Sequence, residues 1–240
     1  MLHYEVNKEK LINHNINNKS MLKYPISTIL WLSKQSIKDK IQDALKLHNN
    51  IDVKLTIIVK DKDGKIIKVH KQKSHSFVAN FLYMVGALLS TTNYSWTDIS
   101  GNKQQFSTAS ISYTQLMNAN CTSSSCGIVI GTGTATPTPN DYKLGNQIAN
   151  GTGSGQMTYN NTTFVAPSVS GNTTSMTIER TFQNNSGASI IVSEVGIQVY
   201  AYTNSAINDY ALIVHDLLSS PITVPPNAVL TIVYRISVST

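Results

Sequence analysis

Between Gly127 and Ile148 the chain reads GIVIGTGTATPTPNDYKLGNQI. An apolar run that ends in glycines can turn backbone N–H groups onto an anion, and a phosphate is the usual guest. A P-loop needs GxxxxGK[ST], because its lysine must reach the β/γ-phosphates. No lysine stands at the corresponding place. A dinucleotide fingerprint needs a third glycine and a helix opening directly after it. Pro137 and Pro139 intervene, and each disfavours helical geometry in its predecessor. The stretch therefore reads as a strand end, a turn and a short helical segment capped by Asn140 or Asp141, not as a nucleotide site.

Other reactive residue types are sparse. Cys121 and Cys126 enclose only TSSS. Two cysteines cannot complete a tetrahedral zinc site, and no histidine lies near them in sequence. They are candidates for a small-loop disulfide in an oxidising exterior, with free thiols as the alternative. The acids from residue 76 onward are Asp98, Asp141, Glu179, Glu194, Asp209 and Asp216, and no two form a motif suited to glycoside hydrolysis. His215 and Asp216 are adjacent, so on a strand they point to opposite faces. Neither GxSxG nor HExxH occurs. Arg180 and Glu194 fall in successive expected strands and are candidates for a buried structural ion pair. No catalytic, cofactor or metal site is expected. Tyr94, Trp96, Tyr113, Tyr142, Tyr159, Tyr200 and Tyr202 could stack on sugars or simply pack strands. Sequons at Asn93, Asn120, Asn150, Asn160, Asn161, Asn172 and Asn184 matter only if the protein is displayed outside a glycosylating cell.

The elements that carry these residues are legible from periodicity. Residues 1–20 read as a tail, and a helix is expected from Ser33 to about His48. Val53, Leu55, Ile57 and Val59 alternate, Asp63-Gly64 turns the chain, and Ile67 and Val69 return, which is a hairpin signal. SHSFVANFLYMVGALLS then reads as an apolar helix, capped by Ser74 or Ser76, for a core or for a subunit contact. After Ser90 the chain turns to Ser, Thr, Asn and Gly with β-branched residues. Strands are expected near 107–113, 127–131, 156–164, 175–182, 189–200, 210–215 and 229–238. The expected fold is mainly β, an antiparallel jelly-roll-like β-sandwich with a smaller basic α+β N-terminal part. Its expected divisions are residues 1–50 (tail and helix), 51–90 (basic hairpin and apolar helix) and 91–240 (the sandwich).

Composition sets the remaining bounds. The 240 residues are 41% hydrophobic and only 13% charged, against about 25% charged in typical domains. The net charge of +6 is unevenly placed. Residues 1–75 hold 15 lysines against 7 acids, while residues 76–240 hold 4 basic and 6 acidic residues. So few titrating groups predict that the C-terminal part tolerates acid. Lysines outnumber arginines 17 to 2, which disfavours sequence reading of DNA, where bidentate arginine leads. DNA contact by the basic third is thus possible but not favoured. No secretory signal or membrane span is expected, since Ile26–Leu32 and Phe77–Leu89 are both short of the ~20 residues required.

The segments GTGTATPTPNDYKLGNQI, RTFQNNSGASIIVSEVGIQVY and HDLLSSPITVPPNAVLTIVYRIS, with SHSFVANFLYMV before them, resemble a pattern in uncharacterised structural proteins of tailed phages and archaeal viruses. The resemblance covers roughly residues 52–238. It implies a non-enzymatic virion protein at a tail, vertex or portal-proximal (adaptor or nozzle) assembly. Its partners would be further copies of itself, as a ring, and other virion proteins. The alternative is an extracellular carbohydrate- or receptor-binding sandwich, such as a viral spike.

Overall fold

The computed structural model describes residues 50–74, 76–90, 94–105, 124–202 and 208–239. The expectations for residues 1–49, the strand near 107–113, the sequons at Asn93 and Asn120, Cys121 and Tyr113 lie outside them. Ile51–Ser239 form one compact unit. The protein is mainly β: β1 (Asn50–Lys60), β2 (Ile66–Lys73), helix α1 (Ala79–Ser90), β3 (Ser95–Thr97), β4 (Lys103–Gln105), β5 (Gly127–Gly131), β6 (Thr158–Ser170), β7 (Thr173–Gln183), β8 (Ile190–Tyr202), β9 (Asn208–Val224) and β10 (Val229–Ser239). One sheet has the order β2-β1-β10-β7-β6, a second β5-β8-β9, and β3 pairs β4. The pairs β1–β2, β6–β7, β7–β10, β5–β8 and β8–β9 are antiparallel.

Alternation determines which face each strand buries. Val53, Leu55, Ile57 and Val59 of β1 are buried, as are Leu230, Ile232 and Tyr234 of β10. They share one core with Ile128 and Ile130 of β5, Val195 and Ile197 of β8, and Leu212 and Val214 of β9. Removing such a side chain from water stabilises the fold by about 1.5–3 kcal/mol each. The β1–β2 turn is set by Asp61, whose carboxylate accepts the Asp63 and Lys65 N–H groups. Gly64 supplies the left-handed residue there, with φ of 80°.

Two buried polar contacts tie the five-stranded sheet to the three-stranded one. The Tyr234 hydroxyl donates to Asp216 Oδ2 at 2.8 Å, and Ser74 Oγ donates to the same oxygen at 2.6 Å. Burial, and then the Asp216 charge and hydrogen bond, push the Tyr234 pKa well up, so the phenol stays protonated. Arg180 of β7 forms the second tie. It donates to the carbonyls of Cys126 and Ile128 at 2.7 and 2.9 Å, and to Asn160 at 2.6 Å.

Several elements differ from expectation. Ser74 and Ser76 do not cap α1. The Ser74 hydroxyl serves Asp216, the Ser76 carbonyl accepts the His215 N–H, and the Ala79 N–H goes to the Pro139 carbonyl. β9 does not stop at His215 but runs to Val224, and Pro221 lies within the register irregularity between Leu217 and Ile222, where its missing N–H is tolerated. β6 runs on to Ser170. No described helix is long and apolar enough to cross a membrane.

Candidate functional site

Gly131 ends β5 directly opposite Glu194 of β8, and Gly196 of β8 lies opposite His215 of β9. Side chains at 194 and 215 therefore leave the same face of the three-stranded sheet. The His215 and Asp216 side chains illustrate the alternation: Asp216 takes Ser74 and Tyr234, while His215 turns the other way. The chain from Thr132 to Gln147 folds across that second face. Gly131 pairs with Gln147, the Ile148 N–H reaches the Ile130 carbonyl, and Leu144 is buried.

The loop closes on the Glu194 carboxylate. Oε1 accepts the N–H groups of Gly133 and Asn146, each at 2.8 Å. Oε2 accepts the Gly145 N–H at 2.9 Å and lies 2.9 Å from His215 Nε2. His215 Nδ1 lies 2.7 Å from Asp141 Oδ2. Asp141 also accepts the Thr138 N–H at 2.9 Å and its hydroxyl at 2.7 Å. The glycine-rich stretch is thus an anion cradle whose anion is a glutamate of the same chain. The expected helical segment at DYKLGNQI is absent, and Asp141 caps no helix. The segment is bent so that successive N–H groups converge on Glu194, which a helix would spend on its own carbonyls.

Glycine is required where the carboxylate comes close. A Cβ at Gly133 would lie 2.5 Å from Glu194 Oε1, and one at Gly131 would also collide with that oxygen. Gly133→Ala is expected to lower stability by about 1–3 kcal/mol, read as a denaturant midpoint. An unchanged midpoint would mean that the loop yields without loss.

The charges follow from these contacts. Burial alone would raise the Glu194 pKa, but the His215 contact and the Asn146, Gly145 and Gly133 N–H groups outweigh it and hold the group at about 2. Asp141 is also held low: burial opposes this, while the Thr138 N–H and hydroxyl and then His215 prevail. For His215 burial works downward, and the hydrogen bonds and charges of Glu194 and Asp141 win, raising its pKa. The imidazolium form donates from both ring nitrogens, one to each carboxylate.

A pH optimum of stability follows. The two acids are depressed, so their contribution is full above their ordinary values, 4.5 for Glu194, and fades as pH falls. His215 is raised, so its contribution is full below 6.5 and fades as pH rises through the folded value. The unfolding midpoint is expected to be highest between pH 4.5 and 6.5. A midpoint still climbing above pH 7.5 (on the order of one unit past the optimum) would contradict this. On this account the expected acid tolerance ends as the Glu194–His215–Asp141 chain loses its carboxylate charges.

The sequence-derived candidates are placed as follows. Arg180 and Glu194 do not form the expected ion pair. Arg180 spends its donors on backbone carbonyls and lies 4.8 Å over the Tyr159 ring, and Glu194 is taken by the cradle. Both are buried, but they extend from different sheets to different partners. Cys126 is buried and disulfide-bonded. Trp96 and Tyr159 are buried in the core, and the Tyr159 hydroxyl donates to the Ile148 carbonyl at 2.6 Å. Tyr200 packs edge-on against Tyr210. Among the described residues no group of three His, Cys, Asp or Glu converges on a point that could hold a metal. In the triad each ring nitrogen faces a different carboxylate, so the donors diverge. The glycine-rich stretch marked one side of the cradle, but no sequence motif marked its anion: Gly145 and Gly133 are 49 and 61 residues from Glu194. No family model, curated protein or solved structure matches the chain.

Proposed function

We propose that the protein is a structural virion component without enzymatic activity, an oligomeric part of a viral tail, vertex or portal-proximal assembly, built as a jelly-roll-like β-sandwich. One observation carries the reading. Three of the four segments that resemble viral structural proteins meet at a single buried polar network. The first contributes Gly133, Asp141, Gly145 and Asn146, the second Glu194, and the third His215. The residues that carry the resemblance thus lock the fold together.

The saturation of the network supports a scaffold role over chemistry. Both oxygens of Glu194 and both ring nitrogens of His215 are engaged internally. A general acid or base must keep a free atom within hydrogen-bond reach of its substrate. The sandwich reading is supported by the shared core of the two sheets and by the contacts of Tyr234 and Arg180 across it.

Native mass spectrometry of the full chain, with averaged images of purified particles, tests the proposal. A closed homo-oligomer that copurifies with particles is the expected result. A monomer absent from particles would overturn it.

A further inference from the structure

Strand β2 ends the five-stranded sheet, with only β1 beside it among the described residues. The Ser74 N–H bonds the Val53 carbonyl, and Lys73 lies opposite Lys54, Lys71 opposite Thr56 and Val69 opposite Ile58. In an antiparallel ladder hydrogen-bonded and non-bonded pairs alternate. Val69, Lys71 and Lys73 are therefore in the non-bonded set, and their N–H and C=O groups point away from β1, off the sheet edge. No backbone partner meets them among the described residues.

The side chains on this edge have a definite character. Ile51–Lys73 carries seven lysines and three aspartates. Two of the lysines are paired locally, Lys54 with Asp52 and Lys62 with Asp63. Lys60, Lys65, Lys68, Lys71 and Lys73 have no ion-pair partner among the described residues. Between them Ile66, Ile67 and Val69 are 52%, 46% and 48% exposed. Lysine alone would suit a strand edge that only repels other strands. Exposed aliphatic side chains on a strand of eight residues do the opposite, because they offer a new strand something to pack on.

We propose that β2 is a docking edge for an extended acidic segment of another protein, which adds to the sheet as a further strand. The free N–H and C=O groups of Val69, Lys71 and Lys73 would supply the ladder. Ile67 and Val69 would pack against apolar residues of the segment, and Lys68, Lys71 and Lys73 would face its carboxylates. A second copy of β2 is a poor occupant, since lysine would oppose lysine across the new pair. Residues 76–240, with six acids in all, are a meagre source of such a segment. DNA would use the lysines but neither the ladder groups nor the aliphatic side chains. The inference rests on the strand itself and holds with or without a place in a virion.

The test uses the full chain and fluorescence anisotropy. The probe is a capped peptide matching β2 in length, with valine where it would oppose Val69 and glutamate where it would oppose Lys71 and Lys73, all on one face of the added strand. Expected is saturable binding, about tenfold tighter than for the same peptide with lysine in place of glutamate. Binding should drop about tenfold in Lys71→Glu/Lys73→Glu, whose exposed positions leave folding intact by circular dichroism. It should also be lost when alternate peptide nitrogens are methylated. The proposal is overturned if the acidic peptide does not bind, if the methylated peptide binds equally well, if the double variant binds unchanged, or if a short DNA duplex binds more tightly than the peptide.

Discussion

Replacing His215 by alanine is expected to destabilise the protein by about 3–5 kcal/mol, the usual result of breaking a buried charge pair from one side. Glu194 and Asp141 would be left with no cation between them. Glu194 would keep its three N–H donors, so the damage would fall on Oε2 and on Asp141. The measurement is equilibrium denaturation near pH 5.5, about the middle of the stability optimum. The loss should shrink as pH rises through the folded pKa of His215, because the wild type then surrenders the same charge. Glu194→Gln is a sharper companion. Its amide N–H groups would face the Gly145 N–H and His215, donor against donor. A His215→Ala midpoint indistinguishable from wild type would remove the triad from any account of stability.

Arg180→Met should cost about 3 kcal/mol, for a different reason. The volume is nearly kept, so packing against Tyr159 and Phe182 largely survives. What disappears is the donor set that reaches Asn160, Cys126 and Ile128, together with attraction to the ring faces of Tyr159 and Phe182 at 4.8 and 5.7 Å. Buried carbonyls would then lack a partner. Burial lowers the arginine pKa to about 10, still far above neutrality, so the effect should be flat from pH 5 to 8, roughly the range where histidine alone titrates. Arg180→Lys should fall between, since a single ammonium cannot span carbonyls on two strands. An Arg180→Met protein as stable as wild type would mean that water replaces the guanidinium.

The contrast between these two residues explains what could be read from sequence. The β1–β2 hairpin was visible because Asp63-Gly64 separates two alternating runs. The last strand was visible because Leu230, Ile232 and Tyr234 alternate with polar neighbours. Both signals are local. Arg180 and Glu194 invited pairing because side chains of opposite charge are what a sequence displays. Their actual partners are mostly backbone groups, which every residue carries and no sequence marks, joined for Glu194 by the His215 ring. The DYKLGNQI segment misled for the same reason: Asn140 and Asp141 are good helix caps in isolation, and only the distant Glu194 explains why the N–H groups turn elsewhere. β9 runs past its expected end at His215, and the irregular register between Leu217 and Ile222 accommodates Pro221.

The cradle also constrains how this sequence can change. Gly131 and Gly133 are held at glycine by one distant carboxylate, so a lineage cannot enlarge either while Glu194 remains. Nor can it drop Glu194 cheaply while the Gly133, Gly145 and Asn146 N–H groups still converge on an empty centre. Related chains should therefore divide into two groups, those with both glycines and the glutamate and those in which all three have drifted together, with few intermediates between them.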